Sequence, residues 1–342
     1  MKIKPKVTIV ISTYNRPDVL SVAIRSVILQ TFSNWKILVI GDNCNQETEK
    51  SVKSFNDKRI QYINLPLRMG TQAGPNSVGI KLTDTEYIAF MNHDDVWLQD
   101  HLEYSIEILE KTKNDFFIGK CGFANQSLTL GNSNEPVFYF ASPNNRTADM
   151  SFDKDNVLFE SASSWVIKTN HAKQIGYWKD AREIHRPQLQ NWIIRAWRKN
   201  IKFVFGKKIS VLYISNYKTK PSKMLYSIND SMHCHILELL ETQNPDYIRE
   251  YVNTSIKQSK IPVNIESKVL KNYPKIFRKI LINGFTKGVC KNFGLDSVEI
   301  FYTIVGLKKG KNMKRVSVER TGKPLPEKVG IDTIIDKLNV KV

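Results

Sequence analysis

The segment "FMNHDDVW", residues 90–97, sets two adjacent carboxylates directly behind an apolar run. Adjacent acids repel, and a buried strand seldom ends on such a pair without a cation to hold it. A hard divalent ion, Mg²⁺ or Mn²⁺, suits Asp94 and Asp95, because it prefers carboxylate oxygen and commonly shares its shell with substrate phosphates. The competing reading is helix capping, since acids favour a helix N-terminus and a helix is expected from near Leu98. On this segment alone the two readings are even.

Two other polar clusters tip the balance. "KVTIVIS" runs into Thr13, Tyr14 and Asn15, and "KILVIG" runs into Asp42 and Asn43. In open parallel sheets the ligand crevice lies outside the carboxyl ends of the strands. Three polar clusters that each follow an apolar strand converge on one such edge, which favours a metal and a ligand there.

The elements that must position these residues follow from periodicity. "KVTIVIS", "WKILVIGD", "RIQYINL" and "EYIAFMN" are short apolar runs that read as buried strands. Between the first two, "VLSVAIRSVILQ" carries apolar residues at helical spacing behind Pro17, and a second helical stretch covers Asn76 to Leu82. Alternating strands and helices predict an α/β fold with a mostly parallel sheet. Further on, "CGFANQSLTL", "PVFYFAS" and "SSWVIK" read as strands, "NHAKQIG" and "PQLQNWIIRAWRKN" as helices, and "IKFVFG" with "KISVLYIS" as a hairpin across Gly206. From about Ser227 the pattern is helical. The boundary is placed near residue 220, giving an α/β domain over 1–220 and a basic, mainly helical region over 221–342.

Composition narrows the class. The net charge is +18, and from Tyr251 to Val342 there are 19 Lys or Arg against 7 Asp or Glu, a surplus of 12. Such a surface attracts nucleic acid, anionic lipid or phosphorylated substrates. No helix-turn-helix, finger or RNA-binding pattern accompanies it, so nucleic-acid binding ranks last. No run reaches about 18 apolar residues and no signal-peptide core opens the chain, which argues against a spanning helix and for a cytoplasmic protein. Cys44, Cys121, Cys234 and Cys290 lie far apart, as reduced thiols do. His233 and His235 flank Cys234, but without a further ligand cluster they read as a surface helix start rather than a zinc site. Trp165, Trp178, Trp192 and Trp197 suit a core or the wall of an acceptor groove. A nucleotide site must be of another kind than the P-loop or the dinucleotide fold, since neither glycine motif is present.

"VTIVISTYNRPDVLSVAIRSVILQTFSNWKILVIGDN" followed by "GPNSVGIKLTDTEYIAFMNHDDVW" closely resembles the family 2 glycosyltransferases, strongly over residues 7–110 and more thinly to about 215. The resemblance implies a GT-A-type, Rossmann-like fold and inverting transfer of a sugar from a nucleotide diphosphate sugar to an acceptor hydroxyl. It implies that Thr13, Tyr14, Asn15, Arg16 and Asn76 line the nucleotide site, with Asp42 reading the base edge. Asp94 matches the residue near the ribose or sugar. Asp95 matches the ligand of a Mn²⁺ or Mg²⁺ ion that bridges the diphosphate. Uridine is the favoured base, because Asp42 can accept from a ring N–H, although guanine presents such donors too. The tail "LKKGKNMKRVSVERTGKPLPEK" is similar to the closing segment of bacterial surface-polysaccharide transferases. That similarity implies a glycan or lipid-linked acceptor and peripheral contact with anionic lipid at the inner face of the membrane. The same helices are also suited to pack on the catalytic domain or to pair two copies of the chain.

The departures carry information too. The family's Ala-Arg-Asn is Gly74-Pro75-Asn76 here, which leaves Arg16 or Arg68 to supply the cation. The first acid of its Asp-x-Asp-Asp string is Asn92. The acidic motif that supplies a base reads Gln188, Leu189 and Asn191, and an amide is not a base. Glu183, His185 and Asp180, from the preceding loop, are the candidate replacements. The alternative is a catalytically silent module that binds a sugar nucleotide or glycan.

Overall fold

The computed structural model of the chain describes residues 4–125, 136–143, 161–215, 231–259, 299, 303, 308–309 and 323–338. Its first part alternates as the apolar runs demand: β1 (Val7–Thr13), α1 (Pro17–Ile28), β2 (Trp35–Gly41), α2 (Gln46–Lys53), β3 (Ile60–Asn64), α3 (Ala73–Leu82) and β4 (Tyr87–Asn92). Pro17 occupies the first turn of α1, where a missing N–H leaves no bond unmade. β1 is buried along its whole length, as a strand covered on both faces must be. These strands pair in parallel in the order β3-β2-β1-β4, with Thr13 beside Gly41 and Ser12 beside Asn92. The carboxyl ends of β1, β2 and β4 therefore share one edge, and the three polar clusters meet there.

Beyond β4 come β5 (Asp95–Trp97), α4 (His101–Thr112), β6 (Phe116–Asn125), β7 (Phe138–Ser142), β8 (Trp165–Lys168), α5 (Thr169–Ile175), α6 (Gln188–Arg198) and β9 (Phe203–Ser215). The sheet continues β4-β8-β6-β9-β5, with β7 paired to β6, and is mixed in this half. Only His93 and Asp94 separate β4 from β5, yet three strands lie between those two in the sheet. In a flat sheet four strand spacings would put them about 19 Å apart. The chain from Asn92 to Asp95 can span about 11 Å at most. The sheet must curl until its β5 edge comes back to β4, and the Asp94–Asp95 segment is where the two meet.

Two expectations are corrected. Residues 203–215 are one strand rather than a hairpin across Gly206, because β9 lies parallel to β6 over most of its length. Gly206 is there for close packing: a Cβ would come within 2.9 Å of the Phe117 ring and 3.3 Å of the Gly119 backbone. The acids at 94 and 95 do not cap α4, which begins at His101.

Trp165, Trp178 and Trp192 are core residues and not groove walls, each at most 2 % exposed. Phe90 of β4 meets Trp178 and Trp192 edge-on at 5.6 and 5.5 Å, and Trp165 stacks on Trp192 at 5.7 Å. The Trp192 indole donates to the Gly176 carbonyl at 2.8 Å, so its polar atom is satisfied. On the other side of the sheet, α7 (Ser231–Thr242) and α8 (Pro245–Gln258) bury Met232, Ile236, Leu240, Ile248 and Val252 against β5, β9 and α1. Near the C-terminus, α9 (Ile331–Lys337) buries Ile334 in the cluster that holds α3. The helical stretch read from "YPKIFRKILINGF" lies outside the described residues. Trp192→Ala is expected to cost about 3–5 kcal/mol, the usual range for emptying a buried aromatic site. A urea unfolding midpoint close to wild type would show that the aromatic cluster is not the keystone of this half of the core.

Candidate functional site

The first cluster is built on the ends of β1 and β2. The Asp42 amide donates to the Thr13 carbonyl at 2.9 Å, which aligns the two strand ends. The Asp42 carboxylate in turn accepts from the backbone N–H of Met69 at 2.5 Å and of Gly70 at 2.7 Å. Gly70 takes φ +81°, a left-handed turn that glycine enters without strain, and the turn aims both amides at Asp42. Burial pushes the Asp42 pKa up to about 6 against the pull of those amides and of the nearby Arg68 charge. The sign follows: with a folded pKa above 3.8, Asp42 lowers stability as pH rises from about 4 to about 6, and below about 6 its carboxylate is lost. Tyr14 lies half-buried beside it, with the Arg68 guanidinium 4.8 Å from its ring centre. Asn15 has φ +48° and its side chain accepts from the Asn45 amide at 2.8 Å, tying the turn after β1 to the start of α2. Asn76, on α3, is buried, and its side-chain oxygen has no partner among the described residues.

The second cluster is the turn between β4 and β5, and it separates the two adjacent acids. Asp95 is fully buried: its Oδ2 accepts from Asn92 Nδ2 at 2.9 Å, from Ser161 Oγ at 2.9 Å and from Ser163 Oγ. Its Oδ1 is buried without a partner among the described residues. Burial first, and the charge of Asp94 next, push its pKa up to about 7. Asp94 faces outward, 23 % exposed, with Arg16 donating to its Oδ2 at 2.9 Å. His93 Nε2 stands 3.4 Å from the same guanidinium nitrogen. From α7, His233 reaches the Asp94 carbonyl through Nε2 at 2.9 Å. This corrects the expectation of a surface helix start: His233 is 1 % exposed, because α7 docks on the site.

The third group belongs to the loop before α6. Asp180 caps the short turn Ala181–Glu183 and grips the Arg182 guanidinium, which together with Lys328 holds its pKa below the usual range despite burial. Such a carboxylate is a weak proton acceptor. Glu183 pairs with Lys328, and the His185 amide donates to Glu299 at 2.7 Å. Asn191 accepts from Arg195 Nε at 3.2 Å, and Gln188 donates to Thr71 Oγ1 at 3.0 Å. The start of α6 is thus joined to the turn that holds Asp42.

Sequence reasoning named His93 only as part of the strand-end cluster, read His233 as surface, and missed Ser161 and Ser163. The serine run ahead of "WVIK" was the signal for the last two, since consecutive hydroxyls beside an apolar strand need an acceptor. Among the described residues no three His, Cys, Asp or Glu side chains gather as a metal cage. The donor set suits an ion that takes most of its ligands from phosphate, since Mg²⁺ is commonly held by one or two carboxylates only. The outward carboxylate of Asp94 and the unpartnered Oδ1 of Asp95 are the oxygens available for it.

Residues 8–176 match the family model described as Glycosyl transferase family 2. The chain carries a family 2 glycosyltransferase domain. It is 31 % identical over 125 residues to an Escherichia coli protein described as a UDP-Glc:α-D-GlcNAc-diphosphoundecaprenol β-1,3-glucosyltransferase, covering 36 % of this chain and 49 % of that one. It is 27 % identical to the putative colanic acid biosynthesis glycosyl transferase of E. coli K12, over 48 % of this chain and 59 % of that one. The chain spans about half the length of these curated relatives. Among solved structures, S. aureus TarS 1–349 in complex with UDP aligns over 83 % of this chain and 75 % of its own, at 16 % identity and a TM-score of 0.47, too low to carry a functional argument. In this glycosyltransferase domain α1, β2, α3, β4 and all of β1 but Val7 fall inside the matched span, whereas α6, β9 and every later element fall outside it. No helix of the described residues is long and apolar enough to cross a membrane.

Asp95→Ala strands three buried donors while removing a buried charge. The net loss of stability is expected at about 2–4 kcal/mol, one to three per orphaned donor less the relief of burial. An unfolding midpoint equal to wild type would show that the Asn92, Ser161 and Ser163 bonds are energetically idle.

Proposed function

We propose that the protein is an inverting, metal-dependent glycosyltransferase that moves a sugar from a uridine diphosphate sugar to the hydroxyl of a lipid-linked glycan in surface polysaccharide synthesis. The observation that carries the reading is the division of labour between the adjacent acids. Asp95 is sealed inside as a tie between strands, which leaves Asp94 facing the crevice beside Arg16 and His93. The curated relatives of the catalytic half support the reaction class, and one of them is named for UDP-glucose and a diphosphoundecaprenol-linked acceptor.

In this reading Tyr14, Thr13 and Asn15 flank the nucleoside, and Asp42 accepts from the ring N–H of the base. A carboxylate held by two backbone amides has little freedom, so the acceptor is fixed before the base arrives. Asp94 is the first ligand of a Mn²⁺ or Mg²⁺ ion, with Asp95 behind it. That ion would offset the charge of the diphosphate and of the departing nucleotide. Arg16 stands where a second cation is needed, because Pro75 cannot supply one. An inverting displacement also needs a group to take the acceptor proton. Glu183 and His185 are the candidates for it; the Asp180 carboxylate is committed to Arg182. The basic C-terminal region is suited to bring the protein to an anionic membrane at its cytoplasmic face, where a lipid-linked acceptor would be met.

The test is transfer of glucose from UDP-glucose to a diphosphoundecaprenol-linked saccharide. Turnover is expected with Mn²⁺, to vanish with EDTA and to fall about a hundredfold or more in Asp94→Asn, as the loss of a charge-stabilising group does. Metal-dependent binding without turnover on a panel of acceptors would instead establish the silent module suggested by the amide at Asn191. Affinity for UDP-glucose, whose own phosphates do not titrate near pH 6, should weaken roughly tenfold between pH 7 and pH 5 as Asp42 takes up a proton. A flat profile would remove Asp42 from the base-binding role.

A further inference from the structure

The C-terminal segment Lys323–Gly330 does not trail into solvent but lies along the mouth of the nucleoside cluster. Arg68 donates to the Pro324 carbonyl at 2.9 Å, and Arg182 donates to the Pro326 carbonyl. Leu325 and Pro326 press so closely on Gly70 that a Cβ there would come within 2.7 Å of the leucine and 2.5 Å of the proline. Gly70 is one of the two residues whose amide holds Asp42. Lys323 places its ammonium 6.0 Å from the centre of the Tyr14 ring, and Lys328 pairs with Glu183. Beyond it, α9 is anchored by the fully buried Ile334, so the segment is held at both of its described ends.

This arrangement is specific in its chemistry. Two arginines bind main-chain carbonyls of the segment, a task that does not depend on its side chains, while the pair of prolines keeps it extended. What the segment adds beside the Tyr14 ring is the cation of Lys323. The residue shares the Tyr14 ring with Arg68, 4.8 Å from the same centre. A phosphate is a stronger partner for an ammonium than an aromatic face, which is worth about 0.5–1 kcal/mol where exposed.

We propose that Lys323 is a donor-binding residue contributed by the C-terminal segment, which closes the nucleoside site as an outer wall and directs the ammonium at the diphosphate. The inference rests on the nucleotide-sugar reading above. It places a determinant of donor affinity outside the span matched by the family, on a stretch whose composition alone reads as solvated surface.

Calorimetric titration of UDP and of uridine, at low ionic strength with Mn²⁺, tests it on the full chain. Lys323 is exposed, so Lys323→Ala should keep the ligand-free melting temperature of wild type. Its UDP affinity is expected to fall about tenfold, the size of one charge-assisted contact. Uridine affinity should stay within about twofold, and Lys323→Arg should restore UDP binding by keeping the charge. Equal UDP affinity in Lys323→Ala and wild type overturns the proposal while leaving the donor reading intact. A parallel loss of uridine and UDP also overturns it, because Lys323 would then serve the base pocket and not the phosphates. Failure of wild type to bind UDP at all brings down the donor reading, and this proposal with it.

Discussion

The geometry of the site depends on one buried carboxylate. Asp95 begins β5, and its Oδ2 gathers Asn92 from the end of β4 with Ser161 and Ser163 from the turn that leads into β8. The Trp97 indole adds a bond to the Ser163 carbonyl at 2.6 Å. Together these pin the point where the curled sheet closes on itself. With the bonds of Arg16 and His233 to Asp94, they fix the path of a two-residue link between strands that have three others between them. A buried acid is expensive, as the upward displacement of its pKa records. Three donors make that expense bearable, and the return is a turn whose next residue, Asp94, is held in one place.

The same arrangement explains how two acids can stand side by side at neutral pH. Their charges are not equivalent: one is inside, its Oδ2 bonded by two hydroxyls and an amide, and the other is outside, opposed by Arg16. Arg16 is itself only 4 % exposed in its side chain, so the ion pair is shielded from water on one side. It therefore interacts more strongly than a surface pair would. Asp42 follows the opposite design, since its partners are neutral amides fixed by a glycine turn and burial leaves its proton affinity high. One edge of one sheet thus carries a carboxylate matched to a cation and another matched to a hydrogen-bond donor.

How much of this the sequence disclosed depended on the range of the forces involved. β1 to β4 were legible because each is a continuous apolar run, and the polar residues behind them stood out by contrast. β5 was not, since three residues have no periodicity and their pairing comes from β9, far along the chain. Gly206 read as a turn because glycine serves turns and close approaches alike, and only the neighbouring Phe117 decides between them. His233 sits on a helix whose pattern was recognised, but its burial comes from docking against Asp94, which no local signal encodes. The missing acid at Asn191 was legible as chemistry, whereas the commitment of Asp180 to Arg182 emerged only with the fold.

The residues matched by the family end at 176, yet three later segments reach the site. α7 places His233 on the Asp94 carbonyl, the first residue of α6 binds Thr71, and the C-terminal strap lies against Gly70 and Arg68. The shared half therefore supplies the sheet edge and the two acids, features that any member could use for the same reaction class. Selection among donors and acceptors must come from side chains that approach that edge, because fold alone does not choose a substrate. In this chain His233, Gln188 and the C-terminal strap approach that edge from beyond residue 176. A comparison confined to the matched half would leave these later contacts out.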